Sequence, residues 1–115
     1  MHSASMTSER EFTSQVITLA RLCGWRCVHF RPARTEKGWR TAGQGNIVGW
    51  PDIFAVKDGK IIVMELKIGK AKPTHEQAAW LADFAGAGVQ AFVFTPADWP
   101  EIVKLLKGED KQNSG

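Results

Sequence analysis

Apolar residues recur at helical spacing through Phe12, Val16, Leu19, Ala20 and Cys23, which predicts a helix over residues 8–23. Ser8 and Glu11 form a Ser-x-x-Glu capping box at its start, and Gly24 is a natural stop. Residues 25–30 then read as a short strand, rich in aromatic and β-branched side chains. Residues 31–51 show no period. Four glycines (Gly38, Gly43, Gly45, Gly49) sit there among Arg34, Lys37, Arg40, Gln44 and Asn46. A loop of this length in a small domain is usually functional or disordered, and its basic character places it on the substrate side.

Two strands follow, over 52–56 and 60–68, joined by Asp58-Gly59, a strong two-residue hairpin signal. Phe54, Val56, Ile61 and Val63 fall on one face. Ile53, Ala55, Ile62, Met64 and Leu66 fall on the other. Strands apolar on both faces imply a sheet covered by helices. Thr74 and Gln77 make a second capping box and open a helix that Gly86 and Gly88 end near residue 87. Residues 89–95 are β-rich. Asp98 and Glu101 start a last helix to about Lys107, with Pro100 tolerated in its first turn. The expected order is α-β-β-β-α-β-α, an α/β fold with a mixed sheet and helices on both faces.

The chain has 115 residues, 43% of them hydrophobic, enough for one core without staples. Residues 8–107 are expected to form a single domain between flexible tails at 1–7 and 108–115. No apolar run approaches the roughly 20 residues needed to span a bilayer, and the start lacks the apolar core of a signal peptide. The expected location is therefore cytoplasmic. Cys23 and Cys27 have no partners at zinc spacing and read as small buried hydrophobes.

The formal net charge is only +3, but its distribution is uneven. Arg21, Arg26, Arg31, Arg34, Lys37 and Arg40 face Glu36 alone in their stretch. A second basic run ends in Lys67, Lys70 and Lys72. Local positive fields of this kind suit a phosphate backbone. Trp39 and Trp50, in or beside the basic loop, could stack on bases or meet another subunit, whereas Trp80 and Trp99 read as core.

The hairpin turn fixes a register that carries chemistry. If Asp58-Gly59 is a two-residue loop, Lys57 faces Lys60. Counting back in step along both strands brings Asp52 opposite Glu65. Directly opposed residues share a face, with Cβ atoms roughly 4.5–5.5 Å apart. Alternation puts Lys67 on that face too. Like charges so placed repel, and a divalent cation with oxygen ligands is their natural counter-ion. Such an ion can polarise a phosphoryl oxygen and acidify a water. A nearby lysine can orient that water and stabilise developing charge. The residue types and spacing suit phosphodiester hydrolysis.

Gly-Trp-Pro-Asp52 followed by Met-Glu65-Leu-Lys67 resembles the Pro-Asp…(Asp/Glu)-x-Lys signature of the restriction-endonuclease-like superfamily. The resemblance is closer to its VRR-type nuclease branch, in the stand-alone viral or bacterial form. Glu11, the segment His29-Phe30-Arg31-Pro32-Ala33-Arg34, and Gln77-x-x-Trp80 support it in order. The resemblance implies a restriction-endonuclease-like fold and a Mg²⁺- or Mn²⁺-dependent deoxyribonuclease. It implies that Asp52 and Glu65 bind metal together with the backbone carbonyl of Leu66, that Lys67 assists catalysis, and that Glu11 and Gln77 complete the site. Glu9 is the alternative carboxylate on the first helix, and the capping boxes explain Glu11 and Gln77 without catalysis. His29, Arg31, Arg34, Lys37, Arg40, Lys70 and Lys72 are the expected DNA contacts. The expected partner is branched DNA such as four-way junctions, met by a homodimer with Trp39, Ile47, Val48 and Trp50 as candidate subunit contacts. The rivals are a flap-, end- or restriction-type nuclease, and a non-catalytic DNA-binding or dimerisation module.

Overall fold

A computed structural model describes residues 8–30, 33–35, 38–40 and 45–108. The expected tails at 1–7 and 109–115 lie outside the described residues, as do Arg31 and Lys37. Helix α1 spans Glu9–Leu22 and α2 spans His75–Gly86, and each carries the capping box its sequence promises. In α1 the Ser8 hydroxyl accepts the Glu11 N–H and Glu11 Oε1 accepts the Ser8 N–H, both at 3.1 Å. The last helix has the expected Asp98 at its N-cap position. Residues Pro96–Asp98 form a 3-10 turn, and α3 runs Trp99–Lys107. Asp98 makes no side-chain cap for α3, because its carboxylate turns back to accept the Thr95 N–H at 2.8 Å.

Strands β1 (Arg26–His29), β4 (Ile53–Lys57), β5 (Lys60–Leu66) and β6 (Gln90–Phe94) make one mixed sheet in the order β1-β4-β5-β6. Its β1-β4 and β4-β5 pairs are antiparallel, and β5-β6 is parallel. The element order is the expected α-β-β-β-α-β-α. Between β1 and β4 the chain adds what its sequence did not announce, an antiparallel ribbon of β2 (Ala33–Thr35) and β3 (Gly38–Arg40). Three-residue strands are too short to display a period of two, so the segment reads as loop from its sequence.

The sheet's two faces differ. On one, α1 and α3 close a core of Phe12, Val16, Ala20, Ile53, Ala55, Ile62, Met64, Leu66, Ile102 and Leu106, all fully buried. Trp25 joins it, donating its indole N–H to the Leu106 carbonyl at 2.9 Å. On the other face, α2 packs on β5 and β6 and reaches β4 through Phe84. Trp50, Phe54, Trp80 and Phe84 form an aromatic cluster there, with Trp50 edge-on to Trp80 at 5.0 Å. The expectation that both hairpin faces are covered holds only in part. Val56 and Ile61, directly paired, remain 37% and 36% exposed. Trp80 and Trp99 are half-buried, Trp99 against the main core and Trp80 in this second cluster. The described cysteines are both free.

Candidate active site

The turn at Asp58-Gly59 has φ of 52° and 77°, the two positive values a type I′ hairpin requires. It pairs Lys57 with Lys60, and the register runs unbroken to Ile53 opposite Met64. The next step is Asp52 beside Glu65, as the sequence predicts. In an antiparallel ladder, hydrogen-bonded and non-bonded pairs alternate. Lys57 and Lys60 close a two-residue hairpin as a bonded pair, so Ile53 with Met64 is bonded and Asp52 with Glu65 is not. Non-bonded pairs bring their side chains closest. The Asp52 backbone accordingly turns away, its carbonyl accepting the Phe30 N–H at 3.0 Å on the β1 side.

One position further, Leu66 should pair with Pro51. Proline has no N–H, so position 51 offers no donor to the Leu66 carbonyl. In an extended strand a residue's N–H and carbonyl point to the same side. The Leu66 N–H points toward β4 and is accepted by Asp52 Oδ2 at 2.8 Å. The Leu66 carbonyl therefore points to the Asp52 side as well. Lys67 turns its own N–H the other way, to the Phe94 carbonyl of β6 at 2.9 Å. The Pro51-Asp52 step thus fixes one carboxylate and leaves one peptide oxygen without its ladder donor beside it.

Glu65 is 1% exposed, an unusual location for a carboxylate. Its Oε1 is buried without a hydrogen-bond partner, and Oε2 lies 3.5 Å from Lys67 Nζ. Burial pushes its carboxyl up to about 7. The neighbouring Asp52 charge adds to the rise, while Lys67 opposes it. A buried, unpartnered carboxylate oxygen is costly. The donor set fits a hard divalent cation, which takes oxygen ligands from carboxylates and carbonyls. Asp52, Glu65 and the Leu66 carbonyl are the groups that could hold it.

The remaining expected residues are dispersed. Among the described residues, no third His, Cys, Asp or Glu stands with Asp52 and Glu65 as a metal-holding group. Glu11 lies on α1, whose helix packs on the opposite face of the sheet, and its carboxylate is occupied by the Ser8 N–H. Glu9, the alternative, is exposed on the same helix. Gln77 lies on α2, on the face of the sheet that carries the carboxylates. Its Oε1 accepts the Thr74 N–H at 2.8 Å. His29 pairs with Ile53, which puts it on the α1 face, in a small cavity of about 250 Å³ with Arg10, Thr13, Ser14 and Ile17. Lys70 and Lys72 are exposed on the connection that leaves Lys67. Arg34 and Arg40 lie on the two strands of the β2-β3 ribbon.

Sequence reasoning missed the part played by the segment before Asp52. Trp80 donates its indole N–H to the carbonyls of Asn46 and Val48, at 3.0 and 3.1 Å. Gly49, at φ +87°, lies so close to α2 that a Cβ there would stand 2.6 Å from the Glu76 carbonyl carbon. The only advance signal was the Gly-x-Pro-Asp spacing itself. Trp50 folds into the aromatic cluster rather than outward, while Val48 is 70% exposed. The side chain of Trp39 lies outside the described residues.

A groove of about 710 Å³ opens at the far end of the hairpin, lined by Trp25, Lys57, Lys60, Leu106 and Lys107 among others, and none of Asp52, Glu65 or Lys67 lines it. The carboxylate pair instead sits at the other end of β4 and β5, away from the turn. Among the described residues, no helix is long and apolar enough to cross a membrane. In comparisons with known proteins, no family model, no curated protein and no solved structure matches the chain.

Proposed function

We propose that this protein is a metal-dependent DNA endonuclease that hydrolyses phosphodiester bonds, acting as a homodimer on branched DNA such as four-way junctions. The observation that carries this reading is the buried Glu65 carboxylate, one oxygen unpartnered, set beside Asp52 and within 3.5 Å of Lys67. A purely structural carboxylate in that position would need a saturated set of donors. A site awaiting a cation does not.

Asp52, Glu65 and the Leu66 carbonyl would hold Mg²⁺ or Mn²⁺. The ion, when bound, polarises a phosphoryl oxygen and acidifies a water. Asp52 is held ready by the Leu66 N–H, so its position costs nothing at the moment of binding. Glu65 must shed its proton to serve as ligand, which its raised pKa delays to near neutrality. Lys67 pairs with Glu65 in the free protein and is placed to orient the attacking water and to stabilise charge on the phosphate. Glu11 and Gln77 remain proposed members of the site. Each would first have to leave its capping bond.

The basic residues of the chain support DNA as the substrate. Lys70 and Lys72 are exposed a few residues beyond Lys67, Arg34 and Arg40 lie on the strands of the β2-β3 ribbon, and Arg31 and Lys37 are close to them in sequence. His29 is a further proposed contact, reached from the α1 side of the sheet. One carboxylate pair cuts one strand, so paired incision of a symmetric junction calls for two copies. With Trp50 used internally, Ile47 and Val48 are the remaining described candidates for the contact between copies.

The test is cleavage of labelled four-way junction, flap and linear duplex DNA with Mg²⁺ or Mn²⁺. Metal-dependent, paired incision of the junction supports the full reading. Cleavage of flaps or ends alone would keep the nuclease and discard the junction. Cleavage of none, with DNA still bound, would point to a non-catalytic binding module.

A further inference from the structure

Asp52 has to arrive opposite Glu65 from a segment outside the sheet ladder, and something must hold that segment. The residues before it lie in no strand. They are nonetheless fastened at three successive points to α2. Trp80 Nε1 donates to the carbonyls of both Asn46 and Val48. Gly49 lies against the peptide between Glu76 and Gln77, at a distance only a glycine permits. Trp50 packs edge-on against Trp80 and Phe84. Pro51, fully buried, and Asp52 follow directly.

We propose that Trp80 is a positioning residue for Asp52, its indole N–H clasping the 46–48 carbonyls so that Pro51 and Asp52 enter in register with Leu66 and Glu65. The inference rests on the nuclease reading for its consequence, the metal site, but not for its geometry. An indole suits the task because one N–H at the end of a rigid arm reaches two carbonyls at once. A phenylalanine at this position would keep much of the ring packing and lose both bonds. The segment would then be held to α2 by packing alone. Asp52 Oδ2 would lose its fixed distance to the Leu66 N–H, and with it the preformed ligand pair. Groups that orient ligands from behind typically contribute about 10- to 100-fold to metal affinity.

Two readouts on Trp80→Phe test this. Amide hydrogen exchange reports on the Asp52–Leu66 bond without any metal, and Mn²⁺ titration reports on the ligand pair. The clasp predicts that the Leu66 amide exchanges about tenfold faster than in the unaltered protein, while Ala55 and Ile62 in the ladder keep their protection. Mn²⁺ binding should weaken about tenfold or more. Asp52→Ala serves as the reference for complete loss of the Leu66 bond. Benzothienylalanine at position 80, which keeps the shape of tryptophan without the N–H, gives the same test if the phenylalanine variant folds poorly. Unchanged exchange at Leu66, or faster exchange spread evenly over β4 and β5, would overturn the proposal. Failure of the unaltered protein to bind Mn²⁺ would count against the nuclease reading instead, and the exchange at Leu66 would still decide the clasp.

Discussion

Asp52 Oδ2 accepts the backbone N–H of Leu66 at 2.8 Å, where the ladder between β4 and β5 would otherwise have met a proline. This bond joins the two halves of the candidate site. It ties the strand that supplies Asp52 to the peptide between Glu65 and Leu66, and it fixes which side of β5 the Leu66 carbonyl faces. The active-site reading follows from that local exchange of a backbone pairing for a side-chain one.

The raised pKa of Glu65 predicts a pH dependence of stability opposite to that of an ordinary salt-bridged carboxylate. Unfolded, the group titrates near 4.5; folded and metal-free, near 7. Between those values the folded state binds more protons, so its stability is full below about pH 4.5 and falls as pH rises through 7. Thermal melts of metal-free protein from pH 5 to 8 should show this decline, and Glu65→Gln should flatten it. Mn²⁺ should restore stability most at the alkaline end, where Glu65 is ionised.

Gly49 should not tolerate a side chain. Alanine there meets the Glu76 carbonyl carbon at 2.6 Å and must adopt φ +87°. The left-handed conformation alone costs about 1–2 kcal/mol. Gly49→Ala should therefore lower stability by at least that amount in denaturant melts. By contrast, Gly59→Ala meets no atom and should show only the conformational cost.

Replacing Arg31, Arg34, Lys37 and Arg40 together should weaken DNA binding about equally across sequences. It should also reduce the dependence of binding on salt, by about one unit of slope for each phosphate that is no longer neutralised. Affinity measured over a salt series checks this. An unchanged slope would move the DNA-binding surface elsewhere, with Lys70 and Lys72 as the next candidates.

Sedimentation should show a dimer at micromolar concentration, alone or on a four-way junction. Val48→Asp should weaken it, because Val48 is an apolar residue left 70% exposed. A monomer under both conditions would remove the dimer and favour cleavage of flaps or ends.

The legible parts of this molecule were those governed by local chemistry. Ser8 with Glu11 and Thr74 with Gln77 announced two helix starts to the residue. Asp58-Gly59 announced both a turn and, through it, the register that sets Asp52 beside Glu65. What escaped were arrangements set by distant partners. The β2-β3 ribbon is too short to carry a period. Trp80 reads as a core residue, and nothing local shows that its N–H is bound to residues more than thirty positions earlier. Asp98 looked like a helix cap, yet its carboxylate is claimed by Thr95. The exposed pair Val56 and Ile61 shows the same limit. Their pattern fits burial on both faces, but α2 is only 12 residues long and leaves the hairpin end of its own face exposed.

The central claim is that Asp52, Glu65 and Lys67 form one hydrolytic centre, and cleavage by their isosteric or truncated variants tests it most directly. Asp52→Asn, Glu65→Gln and Lys67→Ala should each retain the circular dichroism of the unaltered protein. Each should still bind junction DNA, yet lose metal-dependent cleavage by about a hundredfold or more, the scale of removing one charge-stabilising group from an active site. Folded variants that cleave at the unaltered rate would contradict the account.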